Sequence, residues 1–114
     1  MLGCDLIEID RIRKFLDKFG EKAIKRILTD NEIKLFNEFS GNRKAEFLAG
    51  RFAAKESIIK SLDKTVVSFR DIEILRSNSG KPVVKIMGKI LENLELSISH
   101  TKDYAMAVSL LKDK

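Results

Sequence analysis

At 114 residues, 44% of them hydrophobic and only one a proline, the chain is long enough for one packed domain (1–114) and unlike a disordered segment in composition. Its 22 basic residues outnumber 17 acidic ones, and the formal charge of +5 suits an anionic partner: nucleic acid, a nucleotide or an acidic protein. Cys4 is the single cysteine, which excludes an internal disulfide and a zinc cluster and fits a reducing cytoplasm; with no span-length apolar run, secretion and membrane insertion are not expected.

Leu2 to Ile9 predicts a buried strand, apolar on both faces, with Asp5 on the face of Ile7 and Ile9. Arg11 to Lys25 is helical in pattern, broken near Gly20. Thr29-Asp30-Asn31-Glu32 is a capping box that should open a helix running to about Phe39. Ser40-Gly41-Asn42 ends it, and a long helix follows from about Lys44 to Leu62. Val66 to Leu75 and Val83 to Met87 read as strands joined by the turn Asn78-Ser79-Gly80. Met87 to Asn93 suggests a short helix, and Leu94–Ser99 with Tyr104–Leu111 a second hairpin around His100-Thr101-Lys102-Asp103. Helices early and antiparallel strands late give an α+β fold.

The segment Gly50-Arg51-Phe52-Ala53-Ala54-Lys55-Glu56-Ser57 carries charge in the wrong place for a helix interior. At about 100° per residue, Leu48, Phe52, Ile59 and Leu62 form a core stripe. Lys55 falls in the middle of it, Arg51 one turn before, and Glu56 and Lys60 line one border. Buried charges need partners. Two readings are open: a phosphate-and-metal site, or a snorkelling or interface face. Asp5 and Glu56 are the carboxylates to pair, since two carboxylates with water and phosphate oxygens can hold Mg²⁺. The alternative is that each is salt-bridged, Asp5 to Arg51 or Lys55 for instance.

His100 is the only histidine, and Ser99, His100 and Thr101 together offer phosphate donors; a surface turn is the plainer reading. Lys81-Pro82 after Gly80 makes a small basic loop. No P-loop, no GxGxxG motif and no marked nucleophile are present. Arg11, Arg13, Lys14, Lys18, Lys22, Lys25 and Arg26 form a basic belt interleaved with Phe15, Leu16 and Phe19. It is either a solvated face or a docking surface for an acidic partner.

Three blocks carry a family resemblance: Gly3 to Ile12, Phe47 to Ser57 with Lys60, and Leu96 to Thr101 followed by Tyr104-Ala105-Met106-Ala107. In order and spacing the chain resembles holo-[acyl-carrier-protein] synthase, the short bacterial 4′-phosphopantetheinyl transferase family. The resemblance implies transfer of 4′-phosphopantetheine from coenzyme A to a serine of apo-acyl carrier protein for fatty acid biosynthesis. Adenosine 3′,5′-bisphosphate would be released. It implies Mg²⁺ on Asp5 and Glu56, catalysis by Glu56 and Lys60, and coenzyme A bound by Arg51, Lys60, Lys81, Pro82, His100 and Thr101. Carrier protein would dock on Arg11, Lys14, Phe15, Lys22 and Arg26. A cytoplasmic homotrimer with sites at its subunit interfaces is implied, with no nucleic acid or membrane partner. The loop Ser61-Leu62-Asp63-Lys64-Thr65 lacks the family's glycines, and Cys4 is expected to pack as an apolar residue. A basic nucleic-acid-binding domain would use the same belt without needing an Asp5/Glu56 pair; a noncatalytic subunit is a third class.

Overall fold

Glycines at positive φ punctuate the helical half of the chain, as a computed structural model describing residues 1–62 and 67–113 makes clear. Strand β1 (Leu2–Glu8) runs directly into α1 (Ile9–Phe19). Gly20, at φ 53°, turns the chain into α2 (Glu21–Ile27). Thr29 caps α3 (Asp30–Phe36) with both bonds of the capping box in place. This helix stops three residues before the expected Phe39. Glu38 and Phe39 donate their amides only three residues back, so the chain tightens after Phe36. Gly41, at φ 60°, then opens α4 (Asn42–Ser61), within two residues of the expected start.

The second half is sheet. A 3-10 turn at Phe69–Asp71 leads to β2 (Ile72–Arg76) and β3 (Pro82–Ile86). Their turn closes through Gly80, whose amide donates to Ser77 O at 2.9 Å. The strand expected from Val66 therefore begins at Ile72; Asp63 to Val66, with most of the glycine-less loop, lie outside the described residues. The expected helix over Met87–Asn93 is replaced by β4 (Lys89–Ile90), which pairs back on β3. Met87 and Gly88 both take positive φ, the geometry of a two-residue hairpin turn. A methionine there gives no sequence signal for that turn. Strands β5 (Leu94–His100) and β6 (Tyr104–Leu111) form the second hairpin as expected.

Two antiparallel sheets result, ordered β1-β6-β5 and β2-β3-β4. Helix α4 lies between them and the helical layer. Its first half packs with Ile9, Ile12, Ile27, Leu28 and Phe36, and its second half, through Ala53, Ala54 and Ile58, with Val67, Ile72, Ile74 and Val84. It is thus buried nearly all round, and the single stripe through Leu48, Phe52, Ile59 and Leu62 is not the core face; Phe52, Ile59 and Leu62 are only half-buried, whereas Ala49, Ala53, Ala54 and Ile58 are fully buried. Small residues permit close approach to the sheet. Ser109 Oγ donates to Ser57 O at 2.8 Å. A Cβ on Gly3 would stand 2.0 Å from that same carbonyl.

Strand β1 is buried on one face only. Gly3, Asp5 and Ile7 turn toward α4, whereas Leu2 and Leu6 are 64% and 62% exposed. Cys4 shares this outer face and is exposed, so it is not packed as an apolar residue within one chain.

Candidate active site

The register of the first sheet decides where the chemistry stands. Asp5 is paired with Ala107, which pairs with Ile98, so all three form one row beneath α4. Lys60, on the last turn of α4, reaches this row. Its ammonium donates to Asp5 Oδ1 at 3.3 Å and to Cys4 O at 3.0 Å. Asp5 is 17% exposed at its side chain and Lys60 52%. Glu56 is half-buried one helical turn before Lys60, on the same border of α4. Asp5, Glu56 and Lys60 are thereby assembled along one edge. The partner of Asp5 is Lys60, which corrects the expected pairing to Arg51 or Lys55.

Arg51 and Lys55 instead turn to Glu32. Lys55 Nζ lies 2.6 Å from Glu32 Oε1, and both side chains are fully buried. The ammonium also donates to Ile27 O at 2.7 Å and Phe69 O at 3.0 Å. All three of its donors are used, so Lys55 neither snorkels nor faces a neighbour. Burial lowers its pKa below the ordinary lysine value, with Glu32 opposing the shift. Sequence reasoning placed Glu32 only as a helix cap. The signal that could have found more was the demand of two buried cations for a carboxylate.

Arg51 is also buried, 3.8 Å from Glu32 Oε2, with its guanidinium carbon 4.5 Å from the centre of the Phe47 ring. Its Nε has no hydrogen-bond partner among the described residues. Burial pushes its pKa down to about 10, which leaves it charged at neutral pH. It lines three adjoining cavities of about 200, 170 and 580 Å³. Gly80 and Pro82 share the first with it. His100 and Arg43 share the second, and Arg76 joins all three. His100 Nε2 stands 3.9 Å from Glu46 Oε1. Lys81 is exposed on the adjacent turn. Thr101 Oγ1 accepts the amides of Asp103 and Tyr104, which pins the β5–β6 turn.

The site residues named from sequence thus fall into two groups. Asp5, Glu56 and Lys60 lie on the β1 side of the sheet; Arg51, Gly80, Pro82 and His100 lie on the β5 side. Strand β6 runs between them. A third surface is built by α1 and α2, where Phe15, Phe19, Lys22, Ala23 and Arg26 surround a cavity of about 230 Å³. The two rings are 5.2 Å apart, and Phe19 is 45% exposed. Arg11 and Lys22 are exposed beside it. Arg13 and Lys14 are drawn back to Asp10, at 3.2 and 3.1 Å. Lys14, and then Arg13, hold the Asp10 carboxyl below the usual carboxylate range.

Residues 1–109 match the 4′-phosphopantetheinyl transferase superfamily. A holo-[acyl-carrier-protein] synthase of Oceanobacillus iheyensis is 43% identical over 115 residues, covering 99% of this chain and 96% of the relative. The crystal structure of a holo-(acyl-carrier-protein) synthase from Bacillus anthracis in complex with CoA (3′,5′-ADP) is 42% identical. It superimposes with a TM-score of 0.85 over 99% of this chain and 96% of that one. The Helicobacter pylori holo-[acyl-carrier-protein] synthase in complex with coenzyme A is 32% identical, with a TM-score of 0.83 over 98% of this chain and all (100%) of that one. Matched over nearly its whole length in both sequence and fold, the chain is an enzyme that belongs to the holo-[acyl-carrier-protein] synthase family of 4′-phosphopantetheinyl transferases.

Proposed function

We propose that this enzyme transfers 4′-phosphopantetheine from coenzyme A to a serine of apo-acyl carrier protein in the cytoplasm, releasing adenosine 3′,5′-bisphosphate. The observation that carries this reading is the edge formed by Asp5, Glu56 and Lys60. It gathers two carboxylates and an ammonium at one end of a helix that also bears Arg51. The donor set suits Mg²⁺: hard carboxylate oxygens, half-buried, at a place already drawing the Lys60 cation. Asp5 and Glu56 would hold the ion, which when bound supplies charge neutralisation to the pyrophosphate. Lys60, released from Asp5, brings its ammonium to the phosphoryl oxygens that gain charge. The serine hydroxyl attacks the phosphorus nearest pantetheine, the bond from that phosphorus to the bridging oxygen breaks, and the oxygen departs with adenosine 3′,5′-bisphosphate; the serine proton passes to a water polarised by Glu56. Arg51, Lys81, Pro82, His100 and Thr101 serve coenzyme A.

Two further observations support the reading of a homotrimer with sites at its interfaces. In one chain the carboxylate edge and the Arg51 cavities lie on opposite edges of the β1-β6-β5 sheet. One pyrophosphate ligand meets both sets most directly when two copies lie side by side. The outer face of β1 and β6 supplies the contact. Its cross-strand pairs Leu2–Leu110 and Leu6–Met106, with Tyr104, leave five large apolar side chains exposed. The buried positions of Arg51 and Lys55 do not argue for an interface, contrary to the sequence-based expectation. The exposed groove at Phe15, Phe19, Lys22 and Arg26, with Arg11 and Lys14, is the docking surface for the acidic carrier protein.

The test is mass spectrometry of apo-acyl carrier protein incubated with coenzyme A and Mg²⁺. A phosphopantetheine mass gain is expected, together with free adenosine 3′,5′-bisphosphate, and both should disappear with a chelator. An unchanged carrier mass under saturating coenzyme A would refute the reading.

A further inference from the structure

Glu32 has no part in the reaction proposed above, yet it is the one fully buried carboxylate among the described residues. Its Oε1 accepts from Lys55 Nζ at 2.6 Å and from Thr29 N at 2.9 Å. Its Oε2 accepts from Ile74 N at 2.9 Å and lies 3.8 Å from Arg51 Nε. A single side chain therefore ties α3 to α4 and to β2. Lys55 is saturated by its three bonds, whereas Arg51 is attracted without being consumed. A separation of 3.8 Å is an ion pair but not a hydrogen bond. Two buried cations share one carboxylate, and the surplus positive charge sits on the guanidinium at the wall common to three cavities.

We infer that Glu32 is a positioning residue for the anionic ligand of these cavities. It acts in two ways: its charge holds the Nε edge of Arg51, and its bond to the Ile74 amide holds the strand whose next residues, Leu75 and Arg76, line the same space. Phe47 limits the guanidinium from its flat side. The outer edge of the fork is left for a ligand. The inference rests on the proposed reading of Arg51 as a coenzyme A contact, and the experiment separates the two.

Binding of adenosine 3′,5′-bisphosphate is measured by calorimetry, beside KM for coenzyme A, KM for carrier protein and kcat. Arg51→Met should weaken the nucleotide; unchanged affinity would refute the Arg51 reading and the inference with it. Glu32→Gln should weaken the nucleotide by about tenfold, the scale of one charge-assisted contact, and raise KM for coenzyme A alone. Glu73→Gln is the control. Glu73 takes the Thr29 hydroxyl at 2.6 Å on the same α3–β2 junction without contacting Arg51, so its loss should leave nucleotide affinity unchanged. Should Glu32→Gln fail to fold, Glu32→Met with Lys55→Met removes the buried pair together and should show the same loss. Weakening by Arg51→Met with wild-type affinity in the folded Glu32 variant would overturn the positioning role alone. So would an equal loss in Glu73→Gln, which would mark a merely structural junction.

Discussion

Asp5 and Glu56 occupy positions where a carboxylate has no packing purpose: one is half-buried beneath a helix and held by an ammonium, the other sits one turn away on the helix border. Asp5→Ala or Glu56→Ala should each cost several kcal/mol of transition-state stabilisation, the scale of losing one charge that compensates a pyrophosphate. Single-turnover transfer by the folded variants measures it, and near-normal rates would exclude the metal role. Lys55 has the opposite character. It is fully enclosed and spends its donors on Glu32 and two carbonyls. Lys55→Met should therefore destabilise by about 3–5 kcal/mol, because Glu32 would remain charged and under-paired. Adding Glu32→Met should return only part of that loss in denaturant unfolding, because it also takes the partner from the buried Ile74 amide and from Arg51. The site's two kinds of lysine were not distinguishable by spacing: Lys55 and Lys60 both read as charges on an apolar helix. Only the position of Glu32 and Asp5 across the fold separates the fully buried Lys55–Glu32 pair from the accessible Lys60–Asp5 pair.

Among the elements, α4 depends on the small residues beneath it. Gly3 allows the helix carbonyl at Ser57 to approach β1 so closely that no side chain fits between. Gly3→Ala should lower stability by about 2 kcal/mol or more through overpacking, measurable as a reduced denaturation midpoint. It should also disturb the neighbouring Asp5–Lys60 edge. Helix α1 with α2 is governed by charge rather than packing at its surface. Lys14 is paired with Asp10 at 3.1 Å, so Arg11 and Lys22 are the cleaner positions to reverse. Arg11→Glu with Lys22→Glu should raise KM for carrier protein far more than KM for coenzyme A, and added salt should do the same to the parent enzyme. A larger effect on coenzyme A would assign the belt to the nucleotide site instead. The elements themselves were largely legible: the capping box at Thr29, the break at Gly20, the long helix and the last hairpin all carry local signals. The β4 hairpin was not, since Met87-Gly88 turns through a conformation methionine rarely adopts.

For the whole molecule, the exposed outer face of β1 and β6 is the feature a single chain leaves unexplained. Leu2, Leu6, Tyr104, Met106 and Leu110 stand together on it, while the same face of β5 presents Glu95, Ser97 and Ser99. The apolar area is thus confined to one side of the sheet, as expected of a self-associating surface. Leu6→Glu with Met106→Glu should lower the mass by light scattering to that of one chain and abolish transfer. A trimer mass retained in that variant would move the interface elsewhere, and full activity as a monomer would contradict shared sites.

Family membership and the order and type of most elements were legible in the residues alone. Those properties rest on local chemistry: helix caps, period-two strands, glycine turns and motifs whose residues lie within one or two turns of each other. Which face of β1 is buried, which carboxylate answers Lys55 and on which side of the sheet Asp5 and His100 stand emerge only from the folded chain. The reason is physical. Glu32 meets Lys55 and Arg51 because α3 packs against α4, and Asp5 is divided from His100 by the strand that pairs between them. Burial and charge pairing are properties of what lies opposite a residue. For β1, α4 covers one face and nothing of the same chain covers the other, a difference that an alternating run of apolar residues on both sides does not record.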